Sequence, residues 1–221
     1  MTKLLVLRPE PGASATVVKA RERGLNAAAV PLFEIEPIEW EAPEPAGFDG
    51  LLLTSANAVR CGGPQIEALR GLKVYAVGEA TADAAREAGF DIASAGEAGV
   101  DRLLGSMEPD LKLLHLCGQD RREPGEARQS ITAVTVYRSK PIEQPDLSAG
   151  ANSVALIHSP RAGRRFAELV SDKASIAIAA ISRAAADAAG QGWMSVAVAD
   201  SPSDEALLAL AARLCNNSPP K

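Results

Sequence analysis

The chain has 221 residues, of which 47% are hydrophobic and 23% are charged, so one large or two small globular domains are expected and disorder is not. The formal net charge of −5 excludes a general nucleic-acid-binding protein, which needs a basic face to displace counterions from phosphates. Aromatic residues make up only 4%, and the abundant alanine favours parallel strands covered by Ala-rich helices, that is, an α/β fold.

Short apolar runs alternate along the chain with Ala-rich stretches of helical period, which predicts βα units. The expected strands cover residues 4–7, 27–33, 50–54, 74–77, 91–93, 113–116, 133–137, 154–158, 176–181 and 196–199. The expected helices cover residues 14–23, 56–70, 79–88, 100–107, 161–171, 183–189 and 204–214. Residues 119–129 are ambiguous, a short helix broken at Pro124 being one interpretation.

Neither a membrane protein nor a secreted one is expected. No run reaches the roughly 18 apolar residues of a membrane helix, and the N-terminus reads directly into a strand without a signal peptide. Cys61, Cys117 and Cys215 are far apart and lack metal-ligand spacing, so free thiols in a reducing cytoplasm are predicted rather than disulfides or zinc.

An internal repeat indicates two similar domains. Residues 50–59 resemble 154–163, and residues 75–85 resemble 179–189, both at an offset of 104. The domains are either in tandem or one is inserted in the other, with 1–36 and 141–221 as one domain and 37–140 as the insert. Pro-rich stretches directly after Phe33 and Tyr137 are predicted linkers, and they favour the insertion.

The polar residues that follow the strands are the candidates for a binding site, because open parallel sheets bind ligands at the carboxyl ends of their strands. Serines, glycines and arginines dominate these positions, which suits a ligand that carries several carboxylates. The serines are equally expected as helix N-caps, and the two roles do not exclude each other. The chain has no G-x-G-x-x-G, Walker A or G-x-S-x-G sequence, so dinucleotide, triphosphate and serine-hydrolase chemistry lack support.

Three further side chains have competing interpretations. His115 lies inside a strand pattern and is expected to be structural, whereas His158 ends a strand beside Ser159 and is a candidate ligand contact. With only two histidines, a metal site is not expected. Tyr137 lies where a strand meets a linker, so its phenol either donates a proton into a binding site or packs on the linker.

Several motifs, in this order and spacing, resemble one known family. They are Leu7-Arg8-Pro9, Leu53-Thr54-Ser55, Ala76-Val77-Gly78 followed by Thr81, Tyr137-Arg138, Ser159-Pro160 and Ser201-Pro202-Ser203. Together they span nearly the whole chain and are similar to the pattern of the uroporphyrinogen-III synthases. There are two departures: Ala56 replaces a proline, and Ser182-Arg183-Ala184-Ala185 replaces a Gly-Pro-Thr-Thr-like segment, where Arg183 is the candidate to replace the hydroxyl contacts.

The resemblance implies two flavodoxin-like parallel-sheet domains, one inserted in the other and joined by a two-stranded antiparallel linker, with the active site in the cleft between them. It implies a hydro-lyase of porphyrin and haem biosynthesis, without metal or cofactor, that cyclises hydroxymethylbilane to uroporphyrinogen III. Water is lost to give an azafulvene, whose exocyclic carbon forms a bond to the substituted position of ring D. The spiro intermediate then fragments and recloses with ring D inverted.

By the same resemblance, Tyr137 is the expected acid that assists loss of the hydroxyl. The residues expected to hold the acetate and propionate groups or to line the site are Arg8, Thr54, Ser55, Gly78, Thr81, Arg121, Arg122, Arg138, Ser159, Arg161 and Arg183. A monomer is expected, with a transient contact to the preceding enzyme of the pathway. The alternatives are a two-lobed binding module without catalysis and a family member whose departures impair activity.

Overall fold

The chain divides into two compact units in a computed structural model that describes residues 2–96, 99–121, 125–148 and 150–217. Unit 1 comprises Met1–Glu34 with Pro141–Lys221, and unit 2 comprises Ile35–Lys140. Unit 2 is therefore inserted in the sequence of unit 1. Among the described residues, no helix combines the length and apolar character needed to cross a membrane.

The described residues form eleven strands and seven α-helices. The strands are β1 (Lys3–Val6), β2 (Asn26–Ala29), β3 (Phe33–Pro37), β4 (Gly50–Leu53), β5 (Val74–Val77), β6 (Ile92–Gly96), β7 (Lys112–Gly118), β8 (Ser130–Pro141), β9 (Ser153–Ile157), β10 (Ile176–Ala180) and β11 (Ser195–Val198). The helices are α1 (Gly12–Glu22), α2 (Ala56–Arg60), α3 (Glu79–Glu87), α4 (Val100–Ser106), α5 (Pro160–Leu169), α6 (Arg183–Ala189) and α7 (Asp204–Asn217). Short 3-10 helices cover Pro45–Gly47, Pro64–Leu69 and Lys173–Ser175.

Unit 1 is a five-stranded parallel sheet in the order β11-β10-β9-β1-β2. Its central strands β1, β9 and β10 are apolar on both faces because helices cover both. Leu5, Ile157 and Ile178 pack with residues of α5 and α6 on one face, and Leu4, Leu156 and Ala179 pack with α1 and α7 on the other. Each fully buried leucine or isoleucine stabilises the unit by roughly 1.5–3 kcal/mol relative to exposure.

Helices α5 and α6 of unit 1 approach each other closely at Gly163. A Cβ atom at this position would lie 2.8 Å from the carbonyl oxygen of Ala185 and 3.0 Å from the amide nitrogen of Ala189. Beside this contact, the rings of Phe166 and Trp193 stack with their centroids 5.3 Å apart. Only glycine lets the two helix backbones come together at this distance.

Unit 2 contains a six-stranded sheet in the order β3-β8-β7-β4-β5-β6. The strands from β8 to β6 pair in parallel. The pair β3 and β8 is antiparallel, since Ile38 bonds to Val136 at one end and Ile142 bonds to Leu32 at the other. The chain leaves unit 1 along β3 and returns along β8, so two paired strands connect the units.

Several predicted elements differ from the observed ones. The strand predicted at 27–33 ends at Ala29 and a new strand begins at Phe33, because Pro31 has no amide hydrogen to continue the ladder. The helix predicted at 56–70 ends at Arg60, since Gly63 has a φ of 61° and Pro64 follows it. No helix occurs at 119–121 or 125–129, and Pro124 lies outside the described residues.

Candidate active site

Each sheet contains one pair of adjacent strands whose next strands along the chain lie on opposite sides of the pair. Ligands of open parallel sheets bind beside the carboxyl ends of such strands. In unit 1 the pair is β1 and β9, because β2 lies beyond one strand and β10 beyond the other. In unit 2 the pair is β4 and β7, followed by β5 and β8 on opposite sides. The residues that end these four strands are therefore the candidates for a ligand-binding site.

In unit 1 the carboxylate of Asp204, at the start of α7, collects hydrogen bonds from three side chains. Arg8 Nη1 donates to Oδ1 at 3.0 Å and Oδ2 at 3.1 Å, Thr16 Oγ1 donates to Oδ2 at 3.0 Å, and His158 Nε2 lies 3.2 Å from Oδ1. Burial alone would raise the pKa of the Asp204 carboxyl. The hydrogen bond from His158 and the charge of Arg8 outweigh burial and hold this pKa well below its usual range. One carboxylate thus connects the segments after β1 and β9 to α7.

His158 is a member of this cluster rather than an exposed ligand contact. Its side chain is only 9% exposed, and its Nε2 faces Asp204. Its Nδ1 is buried and has no hydrogen-bond partner in the described part of the chain. Sequence reasoning did not include Asp204 or Thr16 among the site residues. The available signal was the acidic residue directly after Ser201-Pro202-Ser203, at the first position of the last helix.

In unit 2 the phenol of Tyr137 lies at the end of β7. Its ring crosses Gly118, where an added Cβ would be 2.6 Å from Cζ and 2.9 Å from Oη of the tyrosine. Burial raises the pKa of the Tyr137 phenol, and a hydrogen bond with the side chain of Ser55 opposes this effect. The phenol therefore stays protonated near neutral pH and is placed where it can donate a proton.

Thr54, at the end of β4, contacts the second histidine. Its Oγ1 lies 3.0 Å from Nε2 of His115, whose side chain is buried in β7. The threonine hydroxyl and the imidazole therefore connect the two strands from which the chain diverges. His115 is buried as expected of a structural residue.

The serines at the carboxyl edges cap helices. Ser55 Oγ accepts from the amide of Asn57 at 3.2 Å, and Ser159 Oγ accepts from that of Ala162 at 3.1 Å. Such caps satisfy backbone donors that the first helical turn leaves open. Of the other predicted residues, Gly78 precedes α3 with a φ of 84°, which favours glycine, and Thr81 is buried within α3.

The predicted arginines differ in their surroundings. Arg138 donates to Glu36 from Nε at 2.9 Å and Nη2 at 2.8 Å and is half exposed. Arg161 Cζ lies 4.5 Å from the centroid of the Phe33 ring. Arg121 is half-buried, and Arg122 lies outside the described residues.

Arg183 is exposed at the start of α6. It borders an open groove of about 590 Å³ that also includes Asp187 and Trp193. None of the residues lining this groove follows β1 or β9, so the groove is separate from the polar cluster around Asp204. Among the described side chains, no group of three or more His, Cys, Asp or Glu residues is arranged to hold a metal ion.

A comparison with protein-family models assigns the chain. The model described as "Uroporphyrinogen-III synthase HemD" matches residues 14–209, which is most of the chain. The chain belongs to the uroporphyrinogen-III synthase family. The family resemblance inferred from the motifs is thereby confirmed. A comparison with curated protein sequences found no match.

Solved structures of uroporphyrinogen-III synthases share the fold. The enzyme of Helicobacter pylori is 19% identical with a TM-score of 0.64, over 97% of this chain and all of that one. A mutant of the enzyme of Thermus thermophilus is 16% identical with a TM-score of 0.52, over 98% of this chain and all of that one. These similarities confirm the predicted fold class, a two-domain α/β fold with parallel strands in two sheets.

Membership in the uroporphyrinogen-III synthase family identifies an enzyme of tetrapyrrole biosynthesis with a small-molecule substrate. The alternative of a binding module without catalysis is therefore wrong at the level of the family.

Proposed function

We propose that this chain is a hydro-lyase that converts hydroxymethylbilane to uroporphyrinogen III, with the phenol of Tyr137 as the acid for the departing hydroxyl. The observation that carries the activity is the family match over residues 14–209. The position of Tyr137, with its ring across the end of β7 and a raised phenol pKa, supports its role.

In the proposed reaction the phenol proton passes to the hydroxyl of the substrate, the carbon–oxygen bond breaks and water leaves. Electrons from the adjacent pyrrole form the azafulvene. Its exocyclic carbon is attacked by the substituted position of ring D, which gives a spiro intermediate. The bond from this ring position to its original bridging methylene carbon then breaks, and the freed methylene carbon bonds to the other α carbon of ring D, so that ring D is inverted. Loss of a proton then restores the pyrrole and balances the proton given at the start.

The remaining contribution of the protein is control of geometry. Without an enzyme, hydroxymethylbilane closes to a ring in which ring D is not inverted. The enzyme must therefore hold the substrate in the conformer that leads to inversion. We propose that guanidinium groups and helix N-termini bind the acetate and propionate groups, since carboxylates suit both kinds of donor. The proposed donors are Arg121, Arg138, Arg161 and Arg183, with the amides and hydroxyls beside Ser55, Gly78 and Ser159.

A cytoplasmic monomer is proposed as the working form. Among the described residues, Cys61, Cys117 and Cys215 form no disulfide, which fits a reducing compartment. A transient contact with the preceding enzyme would shorten the time in which the unstable bilane can close unaided. Sedimentation of the chain with and without that enzyme tests both the monomer and the contact.

The test of the proposed function is a coupled assay. The preceding enzyme generates hydroxymethylbilane in situ, the products are oxidised, and the porphyrin isomers are separated chromatographically. We expect isomer III in excess over the isomer I that forms spontaneously. Isomer I alone, from a sample with a cooperative unfolding transition, would refute the proposal.

A further inference from the structure

Gly118 occupies the last position of β7, and its hydrogen faces the ring of Tyr137. A Cβ atom there would lie 2.6 Å from Cζ, 2.7 Å from Cε2 and 2.9 Å from Oη of Tyr137. A Cβ atom does not approach the atoms of a neighbouring side chain this closely, so any side chain at this position would displace the ring. Gly118 is not among the residues with positive φ, so the backbone conformation does not require glycine. The close approach of the tyrosine does.

A second feature of the same strands turns Tyr137 towards Gly118. Pairing between β7 and β8 is regular as far as Cys117 with Thr135, but Gly118 then pairs with Tyr137 rather than with Val136. Such a bulge inserts one extra residue and redirects the side chains that follow it. The amide of Gln119 donates to the carbonyl oxygen of Tyr137 at 2.9 Å and fixes the backbone beyond the bulge.

The result is a phenol located at the ends of two strands. Gly118 ends β7, and Ser55, whose side chain interacts with the Tyr137 hydroxyl, follows β4. These are the two adjacent strands of unit 2 from which the chain diverges, where sheets of this type bind ligands. Ser55 is itself held as the cap of α2 through the amide of Asn57.

We propose that Gly118 is a positioning residue for the synthase reaction, because its missing side chain and the adjacent bulge let the Tyr137 ring lie across the end of β7 in its working orientation. This inference rests on the proposed role of Tyr137. It assigns Gly118 no contact with the substrate. Its effect on the reaction passes entirely through the tyrosine.

The kinetic test is a double-mutant cycle. We expect Gly118→Ala to lower kcat about tenfold or more with KM nearly unchanged, because the displaced phenol no longer meets the departing hydroxyl. In a Tyr137→Ala background the same substitution should change kcat less than about twofold, since no aromatic ring remains for the added methyl group to displace. Gly71→Ala is the matched control: a Cβ there meets no atom within 4 Å and φ is not positive.

A spectroscopic test is independent of turnover. The chain has two tyrosines, so in a Tyr75→Phe background near-ultraviolet absorbance reports the ionisation of Tyr137 alone. Gly118→Ala should move that titration to lower pH, because the phenol loses part of the burial that raises its pKa. If Gly118→Ala does not fold alone, recovery of folding on adding Tyr137→Ala supports the contact, and failure to recover overturns it.

The outcomes separate this inference from the proposed function. Unchanged kcat and an unchanged titration in Gly118→Ala would overturn the positioning role and leave the function of Tyr137 intact. Full turnover by Tyr137→Phe would instead overturn the assignment of the acid, whatever Gly118→Ala does.

Discussion

Arg8 Nη1 lies 3.0 Å from Oδ1 of Asp204, although 196 residues separate the two in the chain. The sequence suggested that Arg8 holds a carboxylate of the substrate, but a carboxylate of the protein already occupies this face of its guanidinium group. The pair connects the segment after β1 to the start of α7. Its consequences for stability can be measured.

Replacing Asp204 by Asn should destabilise unit 1. The substitution removes the charge that Arg8 and His158 face while retaining the size of the side chain, and we expect the free energy of unfolding to fall by about 2 kcal/mol. Asp200→Asn is the matched control, because Asp200 lies in the same segment but is 85% exposed in its pair with Arg213. Its effect should stay within about 0.5 kcal/mol. Equal losses from both substitutions, measured by denaturant unfolding, would show that the Asp204 cluster is no stronger than a surface pair.

The same carboxylate predicts a dependence on pH. The pKa of Asp204 is lower in the folded chain than in the unfolded one, so its contribution is present above the ordinary carboxyl pKa of about 4. The contribution is lost as the pH falls towards the lower folded value. The difference in unfolding free energy between the parent and Asp204→Asn should therefore be constant from neutral pH to about pH 4 and shrink below it. If the difference in unfolding free energy stayed constant down to about pH 3, the pKa of Asp204 would not be lowered by its contacts.

Arg138 should behave as a binding residue rather than a structural one. It is 55% exposed and pairs with Glu36, so Arg138→Gln should leave Tm within about 2 °C of the parent. If Arg138 holds a carboxylate of the bilane, KM should rise by about fivefold to tenfold. Arg213→Gln, another exposed arginine in an ion pair, serves as the control and should change neither value. An unchanged KM in Arg138→Gln would remove this residue from the binding site.

The pH profile of turnover should report Tyr137. An acid must be protonated to act, and burial raises the pKa of this phenol, so kcat/KM should hold through about pH 9 and fall only above the ordinary tyrosine value of about 10. Tyr137→Phe should lower kcat by about 100-fold and abolish this alkaline decline. Rates measured with the coupled assay from about pH 7 to about pH 10.5 check both points. A decline that persists in Tyr137→Phe belongs to another group.

The contact between α5 and α6 predicts opposite effects of two Gly→Ala substitutions. Gly163→Ala should destabilise the chain by about 2 kcal/mol, since the neighbours of the new Cβ are backbone atoms that cannot move aside. Gly105→Ala, in α4, meets no atom within 4 Å and should stabilise by up to about 1 kcal/mol through helix propensity. Thermal unfolding distinguishes the two. A stabilising Gly163→Ala would show that the helices can separate at little cost.

The sequence predicted the repetitive parts of this molecule and missed those that depend on distant neighbours. Apolar runs led to the α/β class, because burial on both faces of a parallel sheet leaves a local pattern. The offset of 104 indicated two similar domains, and the Pro-rich stretches after Phe33 and Tyr137 favoured the insertion. The Asp204 cluster was not predicted, since it forms only because the sheet order places β1 beside β9. Likewise, nothing in the local sequence tells why residue 118 is glycine. The reason is the ring of Tyr137, which belongs to β8 and lies against Gly118.

The insertion also fixes the order in which the chain can fold during synthesis. Unit 2 is continuous in sequence, and all of it is synthesised before β9. The strands β1 and β2 emerge first, but as a two-stranded piece they lack the neighbours that would make them stable. They must stay unfolded while the insert folds behind them. The strand β1 is therefore synthesised before the insert but can pair with β9 only after the whole insert has been synthesised.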